Sequence, residues 1–432
     1  MFKSIFTSTV LYSLVGILPS IVGFLLLPLF LTVIPAEQYG IYVLINSFST
    51  ILGVIMGLKL ESAYRVFFFE QNDKKKYLGI LFTSILMSST LISLLTILLG
   101  DLLFKKVFGA DVKFFPYGLL AVINIFIGSI NILYAIDCQN REKRKAYVWY
   151  ALAASFLSIS IQYLGIIVFK HGILSFFVAA LITGVVQLGY ILSTGMFTII
   201  KIERSIINES LRYSLPLIPF LFLLTAEQQI DRFFLKKYHS LELLGIYALL
   251  LTASGFFSVL INSLDNALRP RLFQSLKMND PVYNVKQYQK IYVSIALVAL
   301  AGVVLLSYVL PHLIGNLKYL PLLKSIPLFA MSLIPLVYVR YYAVLFSYKK
   351  DSKNLIIIGV IKLIVLILVF RAFVPAYGID GVLLSLFIAN LLNALLFFML
   401  VKYKHKLVVP LTTDLAVSTG ITALLFIFWT QS

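Results

Sequence analysis

The sequence predicts an all-α polytopic membrane protein made of two six-helix bundles. Three observations carry that prediction. The chain is 60% hydrophobic and only 12% charged over 432 residues, more apolar surface than one soluble core of that length can hide. Apolar runs of about 20 residues, the length a helix needs to cross a bilayer core, recur from end to end. Short sequence signatures also repeat at offsets of 197 to 206 residues, as expected of a chain built from two similar halves.

Twelve strong spans are expected, at roughly 9–33, 40–66, 78–100, 117–137, 147–169, 174–200, 212–231, 243–265, 291–310, 321–346, 355–372 and 380–401. A weaker thirteenth, 410–429, contains Asp414 and is expected as an extra C-terminal helix. The first run opens with Lys3 and continues apolar well past the length of a signal-peptide core. It shows no small-x-small cleavage site before Pro35, so it reads as a transmembrane helix and not a cleaved signal. The single Cys138 excludes an internal disulfide framework and reads as a buried, inert thiol.

A net charge of +18 would suggest nucleic acid in a soluble protein. Here the distribution of Lys and Arg accounts for it. With the N-terminus in the cytoplasm, the inside segments hold 23 of the 36 Lys and Arg and the outside segments hold 9. The remaining four, Lys59, Arg232, Arg340 and Lys362, lie within spans. This positive-inside bias predicts a multi-pass protein of the cytoplasmic membrane with no nucleic-acid partner. The runs Lys74–Lys76 and Arg141–Lys145 read as topology signals touching anionic lipid. His171, His239, His312 and His405 sit singly near span ends and read as solvated interfacial side chains. The sequence contains no Gly-rich phosphate loop, His/Cys metal cluster or Ser-His-Asp candidate.

The repeat is legible in detail. AEQYGIYVLINSFSTIL carries Gly40-Ile41-Tyr42, and LELLGIYALLLTASGFF carries Gly245-Ile246-Tyr247. Arg65-Val66-Phe67 is echoed by Arg271-Leu272-Phe273, and Leu18-Pro19 by Leu215-Pro216. Six spans separate the copies, an even number, so both halves have the same orientation. The expected organisation is a half at 1–205, a half at 206–405 and a C-terminal helix or tail at 406–432. A cavity between such halves is the expected place for a carrier's substrate.

Three stretches carry a family resemblance. They are LPSIVGFLLLPLFLTVIPAEQYGIY, the span-two ending GLKLESAYRVFFFE, and SLPLIPFLFLLTAEQQIDRFFLKKYHSLELLGIYAL. The last is the most specific, joining paired prolines, Asp-Arg-Phe-Phe and Gly-Ile-Tyr in order. Together they resemble the multidrug/oligosaccharidyl-lipid/polysaccharide (MOP) exporter superfamily and, within it, the Wzx-type polysaccharide flippases. The resemblance implies a MATE/MOP-like fold in a bacterial cytoplasmic (inner) membrane. It implies alternating-access transfer of a polyprenyl-diphosphate-linked oligosaccharide, an O-antigen or capsule unit, to the outer leaflet. It also implies a monomer working beside a glycan polymerase and glycosyltransferases. No cofactor is expected beyond a coupling Na⁺ or H⁺, or the membrane potential. Two alternatives stand beside it. One is a MATE-like multidrug cation antiporter, which needs acids in its cavity. The other is a polysaccharide polymerase or glycosyltransferase, which needs a larger outer loop than 101–116, DLLFKKVFGADVKFFP.

Charged side chains at membrane depth are costly and normally face a cavity or a partner. At about 100° per residue, Glu227, Asp231, Gln228, Arg232, Thr225 and Gln229 share one side of the seventh span. There Arg232 is expected to attract an anionic headgroup, while Asp231 or Glu227 moderates it or carries a coupling ion. The plainer reading is an ion pair at the outer interface. Lys362, in IIIGVIKLIVLILVF, lies too deep to snorkel and is the foremost candidate for the diphosphate. Arg340, in LVYVRYYAVLF, and Lys59 are further candidates. Glu61 and Arg65 are four residues apart and are expected to pair across one turn.

Overall fold

The structure is a computed structural model that describes Pro19, residues 21–195, 197–275, 281–348 and 352–404, and scattered positions between 421 and 429. Most of the C-terminal span expected at 410–429 falls outside the described residues. Among the described residues, nine segments are long and apolar enough to cross a membrane, and Ile21–Val33 is a shorter apolar helix. They follow ten of the twelve expected spans closely, the last segment covering two, because length and apolarity are what a bilayer core demands of a helix. The seventh, 212–231, is helical but is not among the nine, and the start of the first, 9–33, lies outside the described residues.

The chain divides into two compact units, one of Val33–Phe233 and the other of Ser20–Thr32 with the described residues from Phe234 onward. The first unit holds α2 (Ala36–Ile55), α3 (Leu60–Phe67), α4 (Lys74–Leu98), α5 (Gly100–Phe108), α6 (Tyr117–Asn140), α7 (Arg144–Tyr163), α8 (Leu174–Ser193), α9 (Arg204–Ser214) and most of α10 (Leu217–Tyr238). Asp73 starts α4 by accepting a 2.9 Å hydrogen bond from the Lys76 backbone N–H, satisfying one of the orphan donors of a helix N-terminus. Leu60, Tyr64, Tyr77, Leu81, Leu133 and Tyr134 form a core that ties α3 and α4 to α6. The lone Cys138 is fully buried, as its position near a helix end suggested.

The second unit holds all but the last residue of α1 (Ile21–Val33), with α11 (Leu241–Ser275), α12 (Pro281–Ile314), α13 (Ile326–Tyr348) and α14 (Ser352–Met399). In it, Phe24 of α1 stacks on Phe256 of α11, with ring centroids 5.2 Å apart and planes 16° apart. α14 contains both of the last two expected spans. Its 48 residues would reach about 72 Å as a straight helix, over twice a bilayer core of about 30 Å. The helix folds back instead. Gly378 takes φ 55 and ψ −122, a conformation open to glycine and strained for other residues. Three residues on, the Cβ that a side chain would add at Gly381 lies 2.4 Å from the Phe373 carbonyl oxygen. In a straight helix, residues eight apart are about 12 Å apart. The turn strands the Val374 carbonyl, and His239 Nε2 meets it at 2.7 Å. His239 is therefore a cap for a broken helix, not a freely solvated interfacial side chain.

Hydropathy does not distinguish core helices from peripheral ones. An 18-residue stretch of Leu317–Phe346, a segment that includes most of α13, has mean hydropathy 1.8 and is 83% buried. An 18-residue stretch of Arg144–Val168, the segment that contains α7, has mean hydropathy 1.9 and is 6% buried. In a membrane, lipid-facing and protein-facing helices are both apolar, so the difference is one of packing alone.

Candidate functional site

The second expected span is broken inside the membrane. Gly57, Leu58 and Lys59 take φ values of 70, 53 and 57 between α2 and α3. Such a left-handed turn suits glycine but costs about 1–2 kcal/mol at each non-glycine residue. Strain of that kind persists where surrounding structure enforces it, and it clusters at functional sites. Broken helices at membrane depth are also tolerated only where protein or a water-filled cavity covers their backbone. Ile85 and Ser89 of α4 lie against Gly57, so this break is backed by protein.

The turn also sets the local charge pairing. Lys59 Nζ lies 3.3 Å from Glu61 Oε1, with side-chain exposures of 18% and 11%. Glu61 thus pairs with Lys59 and not with Arg65. The left-handed turn swings Lys59 round to Glu61, while Arg65 turns to α6 and donates a 3.0 Å hydrogen bond to Gln139 Oε1. Glu61 and Arg65 both lie within α3, so the expected one-turn pair is replaced by competition, Lys59 meeting Glu61 and Gln139 meeting Arg65.

On α10, Asp231 is buried and its Oδ1 lies 3.7 Å from Arg232 Nη1. The Arg232 guanidinium folds back along its own helix, donating to the Gln228 carbonyl at 2.6 Å and to Gln229 Oε1. Glu227 is half-buried one turn earlier. On the opposite side, Phe233 stacks on Phe108 at 5.7 Å. The polar and aromatic sides of this helix therefore separate much as the periodicity implied.

In the second unit, Lys362 is 7% exposed on α14. Arg340 is half-buried on α13, with Nη1 3.5 Å from Asn262 Oδ1 of α11, at the long limit of hydrogen bonding. Beside it, Asp265 accepts a 2.7 Å hydrogen bond from the Tyr292 hydroxyl, and Tyr292 packs 5.5 Å from Tyr341. Asp265 and Tyr292 thus lie within electrostatic reach of the Arg340 charge.

One cluster escaped the sequence reading. Asp137, at the end of α6, is fully buried. Its Oδ1 accepts from the Tyr64 hydroxyl at 2.5 Å and from Arg141 Nε at 2.7 Å. The Asp137–Arg141 spacing of four was a usable signal, but Tyr64 is 73 residues away. A tyrosine–carboxylate bond beside an arginine therefore occurs in each unit, on helices expected to end on the same side of the membrane. Asp137→Ala is expected to lower stability by about 2–3 kcal/mol and Tyr64→Phe by about 1 kcal/mol. Thermal unfolding in detergent measures this, and unchanged melting would mean that the cluster contributes nothing to folding.

The architecture can be compared with solved structures. An inward-facing multidrug MATE transporter of the MOP superfamily is 14% identical, with a TM-score of 0.66 over 95% of this chain and 96% of that one. The lipid II flippase MurJ in an inward closed conformation is 18% identical, with a TM-score of 0.69 over 98% and 93%. A MOP superfamily transporter from Pyrococcus furiosus, described as having a binding pocket of reversed polarity, is 16% identical, with a TM-score of 0.63 over 92% and 95%. The chain thus has the all-α fold of MOP superfamily transporters and is a multi-pass membrane protein. A family model for polysaccharide biosynthesis proteins matches residues 5–276, and the protein belongs to that family. Among curated proteins, none matches by sequence.

Proposed function

We propose that the protein transfers a polyprenyl-diphosphate-linked oligosaccharide from the cytoplasmic to the outer leaflet of a bacterial inner membrane by alternating access. The observation that carries this reading is Lys362, buried on a helix that is otherwise apolar around it. A cation at that depth is expensive and normally serves a cavity or partner, and a diphosphate is a strong partner in a low dielectric. In this reading Lys362 is the main headgroup contact, and Arg340, Arg232 and Lys59 are further contacts. Asp231 and Glu227 moderate Arg232 or carry a coupling Na⁺ or H⁺. The N-terminus lies in the cytoplasm, and the monomer works beside a glycan polymerase and glycosyltransferases. Membership in a polysaccharide biosynthesis family supports a glycan cargo, and likeness to a lipid II flippase supports a lipid-linked one.

A second reading, export of cationic drugs, draws on the likeness to MATE transporters. It needs carboxylates available to a cation. Glu61 and Asp231 are each met by a cation of their own neighbourhood, Lys59 and Arg232, which favours the anionic cargo. Purified protein in proteoliposomes is expected to expose a lipid-linked oligosaccharide to an external glycosidase and to leave a cationic dye gradient intact. Dye transport without glycan exposure would favour the second reading and remove the first.

A further inference from the structure

α7 has no buried residue, yet it is not a featureless lipid-facing helix. Between α7 and α8 lies a groove of about 440 Å³, lined among others by Lys145, Trp149, Ala153, Gln187 and Tyr190. Small residues carve it: Ala153 and Ala154 leave room where Trp149 and Leu157 stand to either side. From Lys145 to Leu157 it runs about 18 Å along the helix axis, close to one leaflet of a bilayer core. Its polarity is one-ended. Lys145 sits at the helix terminus within Arg141–Lys145, where four cations outnumber Glu142. Trp149 is 72% exposed one turn further in, at the depth where indole rings anchor to headgroups.

An apolar slot of one leaflet's length, with Lys145 at its interfacial end, matches a lipid with a single chain in the slot and a phosphate at its mouth. It has space for an acyl chain and not for the bulk of a long polyprenyl tail. Anionic phospholipid is enriched on the cytoplasmic leaflet, where the basic loops are expected to lie. We propose that the α7–α8 groove is a binding site for one anionic phospholipid, with an acyl chain against Ala153 and the phosphate on Lys145. The site is independent of the cargo carried by the protein.

Trp149 reports on its own groove, because the chain has only two tryptophans and Trp429→Phe leaves it alone. In phosphatidylcholine nanodiscs, brominated phosphatidylglycerol is expected to quench Trp149 at about fivefold lower mole fraction than brominated phosphatidylcholine. Lys145→Glu is expected to remove that preference, and Ala153→Phe to weaken quenching by both lipids. Native mass spectrometry of the otherwise unaltered chain gives an independent readout, with retained phosphatidylglycerol expected to fall in the Lys145→Glu variant. Equal quenching by the two lipids, or a preference untouched by both substitutions, would overturn the site. Displacement of the brominated lipid by polyprenyl phosphate more readily than by phosphatidylglycerol would also overturn it, assigning the groove to the carrier lipid.

Discussion

Lys362→Met is expected to abolish the proposed transfer of the lipid-linked oligosaccharide while the protein stays in the membrane at normal abundance. Methionine keeps the aliphatic stem that fills the buried position and removes only the charge. An attraction between unit charges at about 4 Å is worth roughly 4 kcal/mol at the effective dielectric of a partly solvated protein site. That corresponds to about a thousandfold in affinity for the headgroup. Lys362→Arg retains the charge with a different fork of donors and is expected to keep measurable transfer. The glycosidase-exposure assay, read beside quantitative membrane immunoblotting, checks both. Full transfer by the methionine variant would remove Lys362 from the headgroup site.

Gly381→Val prevents α14 from folding back on itself. The added Cβ would sit 2.4 Å from the Phe373 carbonyl oxygen, 2.7 Å from its carbon and 3.0 Å from Val374 Cα. All three are backbone atoms, so no rotamer change relieves the clash, and the two arms of the hairpin must separate. The expected cost is about 4 kcal/mol or more, in the range that marks a named structural failure. It is measured as loss of monodisperse protein after detergent extraction. Gly359, on the same helix, is the control, because nothing lies within 4 Å of its Cβ position. Gly359→Ala is expected to be neutral or stabilising by up to about 1 kcal/mol. Equal behaviour of the two variants would mean that the close approach at Gly381 does not constrain the hairpin.

The spans were legible because a bilayer selects on length and apolarity, both local properties of sequence. What escaped depended on residues far apart or on backbone that propensity does not announce. Gly57, just past the end of α2, suits a left-handed turn, but Leu58 and Lys59 adopt left-handed conformations that no propensity scale favours. That break redirected Glu61 from Arg65 to Lys59. Asp137 and Asp265 gained tyrosine partners 73 and 27 residues away, a distance over which periodicity is silent. His239 found the Val374 carbonyl 135 residues on, through a turn visible only once the hairpin had formed. The charged face of α10 was readable because its pattern repeats within three turns.

The contrast between α7 and α13 bears on how related chains diverge. An 18-residue stretch of each segment has nearly the same mean hydropathy, 1.9 and 1.8, so a lineage that preserves apolarity alone satisfies membrane insertion of both. Inside α13, each exchange must also preserve volume and rotamer against packed neighbours. Along most of α7, lipid accommodates whatever apolar shape is offered. Drift should therefore accumulate unevenly on two helices that look alike to a hydropathy scan. Resistance to drift at Lys145, Trp149 and Ala153 of α7 would mark selection for something other than membrane insertion.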